Sequence, residues 1–130
     1  MGRYGDCAIL ATKILAEKTA KNPRDAWDVA IAKLSKRESS EWVMKKGCPR
    51  ATFLSLCEEG LIRGVECGKY TRSTKNKKYA LNAVKELGQN SKSLTQLELW
   101  RKIGNQLAHS CQMDVVLSLW NNDLIVKKDK

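Results

Sequence analysis

The chain has 130 residues and a formal net charge of +10, with 42% apolar and 29% charged residues. That length and balance fit one globular domain with its own core and exclude an intrinsically disordered chain. No apolar run approaches the ~20 residues of a membrane span, and the opening MGRYGD lacks the apolar stretch of a secretory signal. These features predict a single domain over residues 1–130, in the cytoplasm and with no membrane partner.

The first element is a helix from Arg3 to Lys21. Tyr4, Cys7, Ala8, Ala11, Ile14 and Leu15 recur at intervals of three and four, which makes one apolar stripe. Asn22-Pro23 marks a boundary. Asn22 caps the next helix, Pro23 suits its first position and Asp25 favours the positive helix end. That helix reaches about Lys36, with Ala26, Trp27, Ala30, Ile31 and Leu34 on one face. Ser39 or Ser40 then caps a short helix, Glu41 to Lys46, that Gly47 stops. Trp42, on so short a helix, is the candidate anchor for a partner protein or a second copy in a homodimer.

Cys48-Pro49 opens the following helix, whose apolar side is Phe53, Leu54, Leu56 and Cys57. Gly60 suits the left-handed position that ends it, and Leu61 folds back on the last turn. A short helix, a glycine turn and a second helix have the outline of a helix-turn-helix. A wing made of residues 60–66 and 77–81 would need alternation that Lys77-Lys78-Tyr79-Ala80-Leu81 lacks. Tyr79, Ala80, Ala83, Val84 and Leu87 instead predict a helix, capped by Ser73 or Thr74 and ended by Gly88.

Between these helices lies a basic loop. From Arg63 to Lys78 there are six cations against one acid, Glu66, which is half of the net charge on 16 residues. Backbone N–H groups near Gly64 and Gly68, a helix N-terminus and the cations suit an anion. The candidate contacts for nucleic acid or another polyanion are Arg50, Arg63, Lys69, Tyr70, Arg72, Lys75, Lys77 and Lys78. The G-x-x-x-x-G-K-[ST] phosphate loop is absent, and a solvated turn between two helices would have the same composition. Glu58 and Glu59, at the end of the would-be recognition helix, would repel phosphates.

Farther on, Ser93 or Thr95 starts a helix carrying Leu97, Trp100, Ile103, Leu107 and Cys111, in which Gly104 allows a close approach by another helix. A last short helix spans Met113 to Trp120. Leu54-Ser-Leu-Cys-Glu-Glu-Gly-Leu-Ile62 echoes Leu117-Ser-Leu-Trp-Asn-Asn-Asp-Leu-Ile125, with five of nine positions identical at an offset of 63. The echo points to two similar helical units packed together. The whole pattern predicts an all-α, compact bundle of about six or seven helices with a helix-turn-helix-like centre.

No catalytic constellation is legible. The five cysteines are odd in number, contain no C-x-x-C and match no zinc spacing, so neither a disulfide framework nor a metal site is expected. His109 has no triad around it. Cys48, at a helix start beside Lys45, Lys46 and Arg50, is the one sharp candidate for a thiol nucleophile, and a structural role outweighs it. The expectation is a non-enzymatic protein without a cofactor.

Several stretches resemble a family of small bacterial proteins of no assigned activity, some of them carried on integron gene cassettes. They are MGRYGDCAILATKIL, Asn22-Pro23 with Ala26-Trp27, GCPRATFLSLCEEGLIRGV, Gly68 to Ser73, Asn76 to Leu81, and Leu99 to Ile103. The resemblance implies an accessory role in a bacterium and carries over no site residue. Two functions follow: a basic binding module for nucleic acid or another polyanion, or an interaction adaptor that pairs with a partner or with itself.

Overall fold

Among the described residues six helices, α1 (Arg3–Ala16), α2 (Pro23–Glu38), α3 (Gly47–Glu58), α4 (Lys75–Gln89), α5 (Gln96–Lys102) and α6 (Cys111–Asn121), follow one another. The computed structural model describes residues 3–38, 47–89, 94–104 and 111–126. The predicted all-α class is the class observed. Among the described residues the one extended pairing is an isolated antiparallel bridge, Ile62 to Ile125. The expected helix from Glu41 to Lys46, with Trp42, lies outside the described residues, as does His109.

Local chemistry accounts for most helix ends. Asn22 Oδ1 accepts from the Asp25 N–H at 2.9 Å, and the Asn22 amide returns a bond to the Asp25 carboxylate at 3.2 Å. Thr95 and Glu98 form a reciprocal capping box at the start of α5. The Ser73 hydroxyl accepts from the Asn76 N–H at 3.2 Å and so caps α4. Helix α1 stops short of the predicted Lys21 because Lys18 turns left-handed, φ 58°, and the Thr19 N–H closes back on the Ile14 carbonyl at 3.1 Å.

Four expectations are corrected. The run from Leu97 to Cys111 is not one helix: Gly104, at φ +86°, ends α5, and nothing lies within 4 Å of where its Cβ would be. That glycine serves a turn rather than a close approach. Leu97 faces outward, 42% exposed, while Leu99 and Trp100 fill the core. Gly88 does not end α4, which continues through Gln89.

Helix α6 is the axle, packed against α1, α3, α4 and α5. Met113, Val115, Val116, Leu117, Ser118 and Leu119 are all buried, so this helix is apolar nearly all round. Its crossing with α1 depends on Gly5. A Cβ there would overlap the Ser118 hydroxyl and come within 3.0 Å of the Asp114 carbonyl. Trp27 packs on Phe53 at a ring separation of 5.4 Å, which joins α2 to α3, and Tyr79 meets Trp100 edge-on at 5.0 Å, which joins α4 to α5.

Candidate polyanion interface

The predicted anion loop begins where α3 ends. Gly60 takes φ +71°, and the Leu61 N–H donates to the Leu56 carbonyl at 3.0 Å. Ile62 then enters the bridge: the Arg63 N–H donates to the Leu124 carbonyl at 2.9 Å, and the Val126 N–H to the Leu61 carbonyl at 2.7 Å. The wing pairing with residues 77–81 is absent; Ile62 pairs with Ile125, and residues 75–89 are helical, as the spacing of Tyr79, Ala83 and Leu87 predicts.

From there the chain is fastened by a carboxylate. Glu58 Oε1 accepts from the N–H groups of Tyr70 at 2.7 Å and Thr71 at 3.2 Å, and Glu58 Oε2 accepts from Lys77 Nζ at 2.7 Å. The Glu59 carboxylate shares Lys77, also at 2.7 Å. The Lys77 bond and these two backbone donors hold the Glu58 carboxyl well below its ordinary range, at about 2. The same two acids raise Lys77. Ser73 N–H to Thr71, Asn76 to Ser73 and Gln112 to Asn76 carry the chain of hydrogen bonds on to α6. Sequence reading took Glu58 and Glu59 for repellents of an outside phosphate. Instead Glu58 is itself the anion that the loop N–H groups of Tyr70 and Thr71 bind.

The eight predicted contacts therefore divide. Arg50 lies near the start of α3 and pairs with Asp28 at 3.1 Å. Eight residues of helix, a rise of roughly 12 Å, separate it from Glu58 and the loop. Arg63 bonds to the Asp123 carbonyl at 2.6 Å and to its carboxylate at 3.3 Å. Lys77 is held by Glu58 and Glu59, and the Tyr70 hydroxyl donates to the Glu66 carbonyl at 2.8 Å. Lys69, Arg72, Lys75 and Lys78 are exposed, and Lys75 Nζ stands 5.9 Å from the Tyr79 ring centre.

One residue escaped the sequence reading. Helix α4 buries Ala80, Ala83 and Leu87. The opposite face, at helical spacing, carries Lys75, Lys78, Asn82 and Lys85. Lys85 thus joins the basic surface, and the interval of seven from Lys78 was the signal that would have found it.

Matching over residues 1–126 is the family of unknown function DUF6979. The chain belongs to that family. No curated protein and no solved structure matches it. The DUF6979 match covers all six helices, the Glu58 anchor and the lysine face of α4 alike.

The remaining reactive groups offer little chemistry. Among the described residues no three His, Cys, Asp or Glu side chains come together as a metal site. Burial pushes the thiols of Cys7 and Cys57 far up, with Asp28 and Asp6 adding to the effect at Cys7. Cys48 is exposed on the first turn of α3, and Arg50, one of the cations expected beside it, is engaged by Asp28. No described helix is long and apolar enough to cross a membrane.

Proposed function

We propose that this protein is a non-enzymatic binding module that contacts nucleic acid or a similar polyanion through the outward face of α4 and the loop before it. The contacts are Lys69, Arg72, Lys75, Lys78 and Lys85. One observation carries the reading: every exposed charged residue on α4 is a lysine. Aligned cations on a rigid helix release counterions from a phosphate backbone without base readout. Arg50, Arg63 and Lys77 play structural parts in this reading, because each already has an acidic partner. The resemblance to bacterial cassette-borne proteins fits an accessory role in which sequence-independent binding suffices.

The test is retention on heparin and a duplex DNA mobility shift over a salt series. The wild type is expected to bind with an affinity that falls linearly in log–log salt. The triple variant Lys75→Gln/Lys78→Gln/Lys85→Gln is expected to flatten the slope by about three phosphate contacts' worth, while Arg50→Gln leaves it unchanged. Absence of binding by the wild type at low salt sinks the reading. A self-associating species in sedimentation that ignores DNA would favour the adaptor instead.

A further inference from the structure

We infer that the chain is an internal duplication: α1 to α3 with residues 61–63, and α4 to α6 with residues 124–126, are two copies of one three-helix unit facing each other across a local two-fold axis between Ile62 and Ile125.

The axis runs through an antiparallel bridge, which is two-fold by construction; particular to this chain is that the bridged residues are both Ile, 63 positions apart. Exchanging each residue for the one 63 positions away, up from Arg63 and down from Leu124, turns Arg63 N–H to Leu124 O into Val126 N–H to Leu61 O, and both bonds are present. The helix ends that feed the bridge are built alike. In α3 the Gly60 N–H reaches the Cys57 carbonyl and the Leu61 N–H the Leu56 carbonyl, both at 3.0 Å. In α6 the Asp123 N–H reaches the Trp120 carbonyl at 3.1 Å and the Leu124 N–H the Leu119 carbonyl at 2.9 Å. The residue that turns left-handed is Gly60 in one, φ +71°, and Asp123 in the other, φ 59°. Four of the five identical pairs at that offset are also alike in burial, Leu54 with Leu117, Ser55 with Ser118, Leu56 with Leu119 and Ile62 with Ile125, none more than 2% exposed; in the fifth, Leu61 is buried and Leu124 half-buried.

The other helices correspond as well. Asn22 and Thr95 are the caps of α2 and α5, Asp25 and Glu98 stand three residues on, and Trp27 and Trp100 two further, each 1% exposed. Both α1 and α4 carry Tyr, a small residue and then Ala at the same spacing, in Tyr4-Gly5 with Ala8 and in Tyr79-Ala80 with Ala83. The packing obeys the exchange: α1 on α6 mirrors α4 on α3, α1 on α2 mirrors α4 on α5, α2 on α3 mirrors α5 on α6, and α3 meets α6 across the axis. One contact departs from the exchange: helix α4 also leans on α6, where Asn76 bonds Gln112, while the matching pair α1 and α3 do not pack on each other to that extent. Neither unit can bury its third helix alone, so the second copy supplies in cis what a half-length ancestor would take from a second chain.

The copies have diverged where function would enter. Arg3 stands in α1 where Lys78 stands in α4, but Cys7 and Leu10 stand where Asn82 and Lys85 do, so only the second copy continues the basic face along its helix. The duplication does not depend on what that face binds.

A two-fold relation makes the gap from Val126 to Tyr4 equal to the gap from Arg63 to Tyr79, which 15 residues span. A full-length circular permutant whose ends are joined by ~8 added Gly/Ser residues reproduces that span together with residues 127–130 and 1–3. It is opened at Gly64 and, in a second version, between Gln89 and Leu94. Each is compared with a version whose connection is about twice as long. The expected result is a monomer with one cooperative transition and a Tm within a few degrees of its long-linked counterpart. Folding only with the longer connection overturns the duplication, and so does failure of both openings at both lengths.

Discussion

The ends of α3 and α6 use the same left-handed cap and then meet in one bridge, yet they are held by different physics. At the end of α3, Glu58 and Glu59 gather two loop amides and a lysine, and the turn is locked by charge. At the end of α6 the corresponding residues are Asn121 and Asn122; the Asn122 side chain returns its amide to the Ser118 carbonyl at 2.7 Å, and the charged contact of this turn is the exposed Arg63–Asp123 pair at 3.3 Å. That helix is held by burial over nearly its whole length. One backbone solution can therefore be stabilised by a polar clasp or by an apolar sheath, and the two respond to different perturbations.

Breaking the sheath has the largest expected effect. Gly5→Ala places a methyl on the Ser118 hydroxyl at the α1–α6 crossing and is expected to cost about 3 kcal/mol in urea unfolding. Ser118→Gly in the same chain should recover part of it, read as a coupling in a double-mutant cycle. Next comes the clasp. Glu58→Gln leaves weaker acceptors for Tyr70, Thr71 and Lys77 and is expected to cost about 2 kcal/mol at neutral pH. Because folding lowers the Glu58 pKa from 4.5 to about 2, its contribution is complete above 4.5 and fades as pH falls toward 2. Wild type and variant should converge over that acid window, and a gap that stays constant with pH would show that the carboxylate charge is not the cause.

Smaller effects compare the caps themselves. Gly60→Ala should lower stability by about 1 kcal/mol, since an L-residue is strained at that φ, whereas Asp123→Gly relieves that strain but gives up the carboxylate contact with Arg63 and should change stability by less than about 0.5 kcal/mol. A clear loss at Gly60 against little change at Asp123 in thermal melts would show that the two ends are equivalent in backbone and different in residue. The smallest effect belongs to the exposed pair Arg50–Asp28, whose side chains are 35% and 61% exposed; Arg50→Gln should change stability by less than ~0.5 kcal/mol.

How much was legible follows from the range of each interaction. Asn22, Ser73 and Gly60 were readable as caps because their partners lie within a few residues. The stripes of α1 and α4 were readable because one face of each repeats. Leu97 and Gly104 misled because a periodic apolar run does not reveal a left-handed glycine inside it. Glu58 was misread because its partners, Tyr70, Thr71 and Lys77, follow 12 to 19 residues later across a turn. Of the basic cluster, the sequence showed which residues are cationic but not that Arg50, Arg63 and Lys77 are engaged by acids.

By itself the sequence determined the helical class, most helix starts, the excess of positive charge and the echo between residues 54–62 and 117–125, because these reside in composition and in neighbours along the chain. Only the tertiary structure decided that Ile62 pairs with Ile125 and that Glu58 occupies the loop amides. Those outcomes need residues far apart in the chain to meet, and which of them meet is set by how α6 is enclosed by the helices around it.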